Sequence, residues 1–139
     1  MLSKVIDSIC KHLKEKFNCA VYAESVRQDL KEPCFFVQLV EHKKIPQPSN
    51  QYLIESTFCI TYYPESVTDP MVECCKVIDD LQFAILYLEI DEFIVRGINM
   101  SSEMTNNVLH FMVDYEITLV DTEEHEKMGT ITLKRGGWR

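Results

Sequence analysis

Six cysteines, four histidines and a run of carboxylates near the C-terminus are the side chains through which this chain could do chemistry. Zinc would be the sharpest use of them, with Cys10 beside His12, or Cys74 beside Cys75, as ligands. No CxxC or HxxxH pair occurs, and adjacent residues such as Cys74 and Cys75 point about 100° apart on a helix, so neither pair has ligand spacing. Cys10, Cys19, Cys34, Cys59, Cys74 and Cys75 each fall inside an apolar pattern, where a free thiol behaves as a small hydrophobe. The expectation is six reduced packing cysteines; the even count would suggest disulfides only in a secreted protein.

General acid–base work needs a histidine or carboxylate with a positioned partner. His12 falls between helix turns, His42 borders a proline-containing stretch and His125 sits in a charged tail. His110 alone lies within a strong strand pattern and shares a face with Asp114, but strand residues i and i+4 are too far apart to pair directly. There is no GxSxG for a presented nucleophile, and the four glycines form neither GxGxxG nor a Walker-type phosphate loop. Asp121, Glu123, Glu124 and Glu126 lack the glycine-punctuated spacing of a calcium loop and read as a solvated acidic run. No catalytic residue, metal ligand or cofactor site is expected. Arg96-Gly97 is one further suggestive pair, the glycine permitting a bulge that would aim Arg96 sideways.

The elements that must position these residues belong to a chain of ordinary globular composition. Its 139 residues, 46% hydrophobic and 26% charged, suit one domain with a buried core. The net charge of −8 opposes attraction to phosphate backbones but suits a conduit that nucleic acid must traverse without sticking. The longest nearly apolar run, residues 81–90, is interrupted by Gln82 and Glu89 and falls far short of the about 20 residues a membrane helix needs. Lys4, Asp7, Lys11 and Lys14 are scattered among the N-terminal apolar residues, unlike a signal peptide, so a cytoplasmic chain is expected.

Leu2, Val5, Ile6, Ile9, Leu13 and Phe17 recur at helical spacing and predict an amphipathic first helix, stopped at Asn18. A short strand over residues 19–24 and a polar connection follow. Pro33 then introduces a strand over residues 34–42, inside the stretch EPCFFVQLVE, whose alternate side chains would be buried on both faces. HKKIPQPSN reads as a loop, and residues 51–64 as a long strand. Thr68 or Asp69 would cap a second helix with Pro70 in its first turn. That helix is expected to run on through LQFAILYLEI, whose apolar residues all round imply cover on more than one side. A strand in EFIVRGINM, an Asn-Asn turn and an alternating strand over residues 108–120 complete the core. The expected fold is α+β: two layers, a mostly antiparallel sheet packed by two helices, over residues 1–121, with residues 122–139 as a charged, glycine-containing arm.

These segments in this order resemble the tail terminator proteins of phages and phage-derived particles, in particular those of contractile-tailed phages, defective prophages and phage-tail-like bacteriocins of Gram-positive bacteria. The resemblance rests on VYAESVRQDLKEPCFFVQLV, FCITYYPES, FIVRGINM and NNVLHFMVDYEI, with EPCFFVQ and VLHFMVDY the most specific. It covers nearly the whole chain but not the segment beyond Asp121. It implies a non-enzymatic structural protein whose copies form a ring, most often hexameric, on the finished end of a tail tube. The implied partners are the chain itself, the tube protein, the sheath protein and, where a head exists, the neck; DNA would pass through the ring.

Contact residues expected for such a role are Lys43, Lys44 and Ile45 as an axial contact, Tyr63 and Arg96 as lateral contacts, and Trp138 as an anchor in the arm. Two rival readings remain open. One is a neck or head–tail joining protein; the other is a small cytosolic enzyme or ligand-binding domain using His110, Asp114 and the cysteines.

Overall fold

The computed structural model describes residues 2–23, 31–121 and 131–134. The first helix, α1 (Leu2–Phe17), forms where the apolar spacing predicts and buries Val5, Ser8, Ile9 and Leu13 on one face. Asn18 ends it in the left-handed region at φ 55°, its amide donating to the Lys14 carbonyl. Asparagine tolerates this conformation because its short polar side chain bonds locally. The chain then enters β1 (Ala20–Tyr22), which pairs in parallel with the start of β2 (Cys34–Gln47).

Strand β2 is longer than the sequence suggests. HKKIPQPSN is not a loop: residues 42–47 continue β2, opposite β3 (Gln51–Tyr63), with Pro46 facing Tyr52 and Gln47 facing Gln51. Proline is tolerated there because β1 covers only Cys34, Phe35 and Phe36; among the described residues no strand pairs with β2 beyond that point, so the missing N–H removes no ladder bond on that side. The hairpin turns through residues 48–50, with Ser49 and Asn50 at positive φ. EPCFFVQLVE lies within β2 from Cys34 onwards, but it is covered only in part. Cys34, Phe35 and Val37 are buried, whereas Gln38, Leu39 and Val40 are exposed, so the expectation of two covered faces fails after Val37.

The second helix, α2 (Pro70–Ala84), starts with Asp69 as N-cap residue and Pro70 in its first turn, but the Asp69 side chain makes no capping bond. It also ends earlier than expected. LQFAILYLEI is not one helix: residues 87–90 form β4 (Tyr87–Ile90), paired with β5 (Phe93–Thr105) across a two-residue turn with Asp91 at positive φ. The reason is tertiary. The Tyr115 hydroxyl donates to the Ile85 carbonyl at 2.5 Å, and the Gly97 amide donates to the Leu86 carbonyl at 2.6 Å, so carbonyls that end the helix find partners from β6 and β5. Leu88 and Ile90 then alternate inward while Tyr87 and Glu89 face out.

Strand β6 (Val108–Asp121), as long as β2, pairs with β3 along one edge. Along the other it pairs first with β5 and then with β7 (Ile131–Lys134). The order β1-β2-β3-β6-β5-β4, with β7 off that path on β6, makes a seven-stranded mixed sheet, antiparallel except for β1 against β2. The fold is α+β, with two helices against a curled sheet. The Asn106–Asn107 turn joins β5 to β6 with both residues at positive φ, as expected of a tight hairpin. The bulge in β5 falls at Asn99 and Met100, not at Gly97. Gly97 instead serves close packing. It pairs with Tyr115, and a Cβ there would come within 3.0 Å of Val113 Cγ2 and Met100 Cε. A side chain there would need these neighbours to give way by a few tenths of an ångström, at the point where β5 passes from β4 to β6.

One face of the central strands forms the core. Ile54, Phe58, Ile60 and Tyr62 of β3 and Leu109, Phe111, Val113, Tyr115, Ile117 and Leu119 of β6 share it with Phe35 and Val37 and with α1 and α2 residues such as Ile9, Leu13, Cys74 and Leu81. Phe35 stacks at a tilt on Phe17 and Tyr62, each ring pair 4.8 Å between centroids.

Candidate functional site

The opposite face of the central strands gathers polar side chains. Glu55 of β3 stands directly across from Glu116 of β6, Thr57 across from Asp114, and Lys43 of β2 across from Glu55. With Glu41 and Asn99 these line a cleft of about 160 Å³. Asp114 accepts hydrogen bonds from the Thr57 hydroxyl at 2.6 Å and the Asn99 amide at 2.9 Å, while Lys43 lies 3.7 Å from Glu41. Burial, followed by a hydrogen bond to Glu55 and the charges of Glu55 and Asp114, holds the Glu116 carboxyl above the ordinary carboxylate range. Strand alternation marks Glu55 and Glu116 as outward-facing; their juxtaposition depends on the β3–β6 register.

A second carboxylate is set oppositely. Glu73, in the first turn of α2, accepts from the Tyr62 hydroxyl at 2.5 Å, the Glu65 amide at 2.9 Å and the Ser66 amide at 2.8 Å. Burial would raise its pKa, but these donors outweigh burial and hold it below the ordinary range. Tyr62 is pushed up, by burial first and then by its bond to Glu73. This cluster fastens the end of β3 and the turn after it to the start of α2. Sequence reasoning passes over Glu73, although a glutamate in the first turn of a helix suits the positive end of its dipole.

The residues named for acid–base chemistry do not assemble. His110 Nδ1 lies 3.4 Å from Thr61 Oγ1, whereas Asp114 is occupied by Thr57 and Asn99. All six cysteines are free thiols, with Cys34 and Cys74 buried. Burial is the first cause that raises Cys10, Cys19 and Cys34, and with Glu73 and Cys75 it pushes Cys74 up to about 11. At neutral pH such thiols stay protonated, unlike the thiolates of nucleophiles and metal ligands. Among the described residues no group of three or more His, Cys, Asp or Glu side chains is placed to hold a metal ion. Of the acidic run, Asp121 ends β6; Glu123, Glu124, Glu126 and His125 lie outside the described residues.

The six expected contact residues are scattered. Lys43, Lys44 and Ile45 lie together in sequence on the β2–β3 hairpin, Lys44 on the opposite face from the other two, with its ammonium 4.3 Å from the centre of the Tyr52 ring. Arg96 is exposed on β5 opposite Tyr87, towards the other edge of the sheet. Tyr63 lines a shallow surface depression with Pro64, Val67 and the Asn106–Asn107 turn. Trp138 lies outside the described residues. Sequence reasoning misses the exposed large apolar side chains, which fall in three places: Leu39 and Val40 on β2, Val67, Met71, Val72 and Phe83 on and before α2, and Tyr87 and Ile94 on the β4–β5 hairpin.

Comparison with known proteins supplies what the geometry does not. A family model described as phage tail terminator protein matches residues 4–128, most of the chain, which therefore belongs to that family. Membership makes it a structural phage tail protein by family and agrees with the resemblance drawn from EPCFFVQ and VLHFMVDY. Among curated proteins none matches. No helix among the described residues is long and apolar enough to cross a membrane.

Proposed function

We propose that this tail terminator family member assembles as a ring, six copies strong, on the finished end of a tail tube and stops further growth of the tube. The single observation that carries this reading is the family match across residues 4–128. In this reading the chain is a component of the virion or tail-like particle, assembled in the bacterial cytoplasm. Its partners are other copies of itself, the tube protein, the sheath and, where a head is present, the neck, and its action involves no cofactor and no catalysis.

The physical demand on such a cap is asymmetry. One side must fit the tube, and the other must lack the surface on which the tube propagates, so that no further ring adds. A ring engages all its contacts together, so modest affinity per copy suffices to hold it. The net charge of −8 suits a lumen through which DNA slides. Lys43, Lys44, Ile45, Tyr63, Arg96 and Trp138 are the candidate contact residues.

The test is the length distribution of tails, by electron microscopy, from cells that make the particle with and without this chain. Overlong tubes in its absence support the cap. Tails of normal length that fail to join heads would move the chain to the neck, and no change in the particles would remove the tail role.

A further inference from the structure

The described sheet has open edges at both ends of its strand order, among them β2 beyond Phe36 and β4. Beyond Phe36, β2 has β3 on one side and no described strand on the other, which leaves the outer backbone groups of residues 38–47 without a ladder; β4 ends the sheet at the far side. Unpaired strand edges are templates for another strand, and soluble proteins blunt them with charge, proline or bulges. Here Lys43, Lys44 and Pro46 blunt the outer half of β2, but Leu39 and Val40, at the register shift before Glu41, are 41% and 55% exposed. The β4–β5 hairpin carries a matching pair: Tyr87 and Ile94 lie diagonally on its outer face, 48% and 42% exposed.

Charge matches as well. Residues 38–47 hold two lysines and one carboxylate in a strongly acidic chain, whereas residues 87–96 hold Glu89, Asp91 and Glu92 against Arg96 alone. Asp91 already pairs with Lys4 at 2.8 Å, leaving Glu89 and Glu92 to face outward. A surface at one end of the sheet that complements a different surface at the other end makes a head-to-tail contact, the kind that closes into rings. Charge complementarity sets the register of such a contact and rejects wrong partners.

We infer that the outer edge of β2 docks against the β4–β5 hairpin of a second copy of this chain, with Leu39 and Val40 on Tyr87 and Ile94 and with Lys43 and Lys44 against Glu89 and Glu92. The inference rests on the ring reading and deepens it: Lys43 and Lys44 become lateral contacts between copies, not axial contacts to the tube. Arg96, opposite Tyr87, lies within the same contact.

The experiment places the photo-crosslinking residue p-benzoylphenylalanine at Val40 of the full chain, in particle-producing cells and in concentrated purified protein. Adducts are mapped by mass spectrometry. The contact is supported by chain-to-chain adducts landing within residues 87–96. A K43E/K44E chain and an E89K/E92K chain should each lose these adducts by at least about tenfold, because like charges then meet across the contact. A mixture of the two chains, or one chain carrying all four changes, should recover them, and unaltered thermal unfolding of each variant shows that the fold is intact. Adducts to other regions of the chain or to the tube protein overturn the assignment, as does loss without recovery in the combined variant. The two readings fail separately. Self-adducts at residues 87–96 in a chain absent from tails keep the contact and remove the cap, whereas a tail-bound chain crosslinked only to tube protein keeps the cap and removes the contact.

Discussion

The two faces of the β3–β6 pair follow one alternating pattern and do opposite things. On one face Phe58, Ile60, Phe111, Val113 and Tyr115 pack against the helices with almost no exposure. On the other, Glu55, Thr57, Asp114 and Glu116 meet across the same strands in a cleft open to water. Stability is concentrated on the first face, because its side chains are removed from water and closely packed. The second face tolerates like charges side by side, a cost that a purely structural sheet would avoid. The difference separates what holds the fold from what is left to meet solvent or another protein.

The largest expected break in this contrast is on the covered face. Phe58→Ala empties a fully buried ring site beside Tyr115 and should cost about 3–5 kcal/mol in denaturant unfolding. A loss under about 1 kcal/mol would mean that the helix layer does not seal that face. Tyr115→Phe keeps the ring and removes only the hydroxyl that holds the Ile85 carbonyl, so about 1–3 kcal/mol is expected, with hydrogen exchange accelerating around residues 85–87.

Two carboxylates sharpen the comparison through pH, with opposite signs. Glu73 is held below its ordinary value, so its contribution is present above the ordinary carboxylate range and is lost as pH falls through its folded value. Glu73→Gln should therefore cost about 1–2 kcal/mol at pH 7, a penalty that shrinks towards pH 3. Glu116 is held above its ordinary value, so its contribution is present below that range and is lost as pH rises through the folded value. Glu116→Gln should leave stability unchanged at pH 4 and raise it by under about 1 kcal/mol at pH 8. Equal pH profiles for the wild-type and Glu116→Gln chains would show that the surroundings of Glu116 do not hold its carboxyl above the ordinary range.

Much of this is legible in the chain, and the failures have one physical origin. Periodicity places α1, the start of α2, β3 and β6, because each buries one face and exposes the other, which leaves a clear 3.6- or 2-residue signature. It fails at residues 85–90, where apolar side chains occur on every side and a helix and a buried strand read alike. It fails again at residues 42–47, where Pro46 and the following Pro48 suggest a loop; an edge strand accepts Pro46 because no described strand pairs with its outer side. Gly97 stands out in the sequence for its backbone freedom, whereas in the fold it matters for the close approach of Val113 and Met100.

The contact residues divide in the same way. Lys43 and Lys44 stand out in an acidic sequence, and the family resemblance carried by EPCFFVQ and VLHFMVDY is visible without coordinates. The exposed pairs Leu39–Val40 and Tyr87–Ile94 are not, since an apolar residue in a strand gives no sign of whether its strand is central or at an edge. Local sequence determined the helix faces, the tight Asn106–Asn107 turn and the alternation of β6, all of which depend on neighbours a few residues apart. Only the tertiary structure decided that Glu55 meets Glu116, that Tyr115 ends α2 and that the outer part of β2 and β4 lie at opposite edges of one sheet. Those are pairings between distant segments, set by register and strand order.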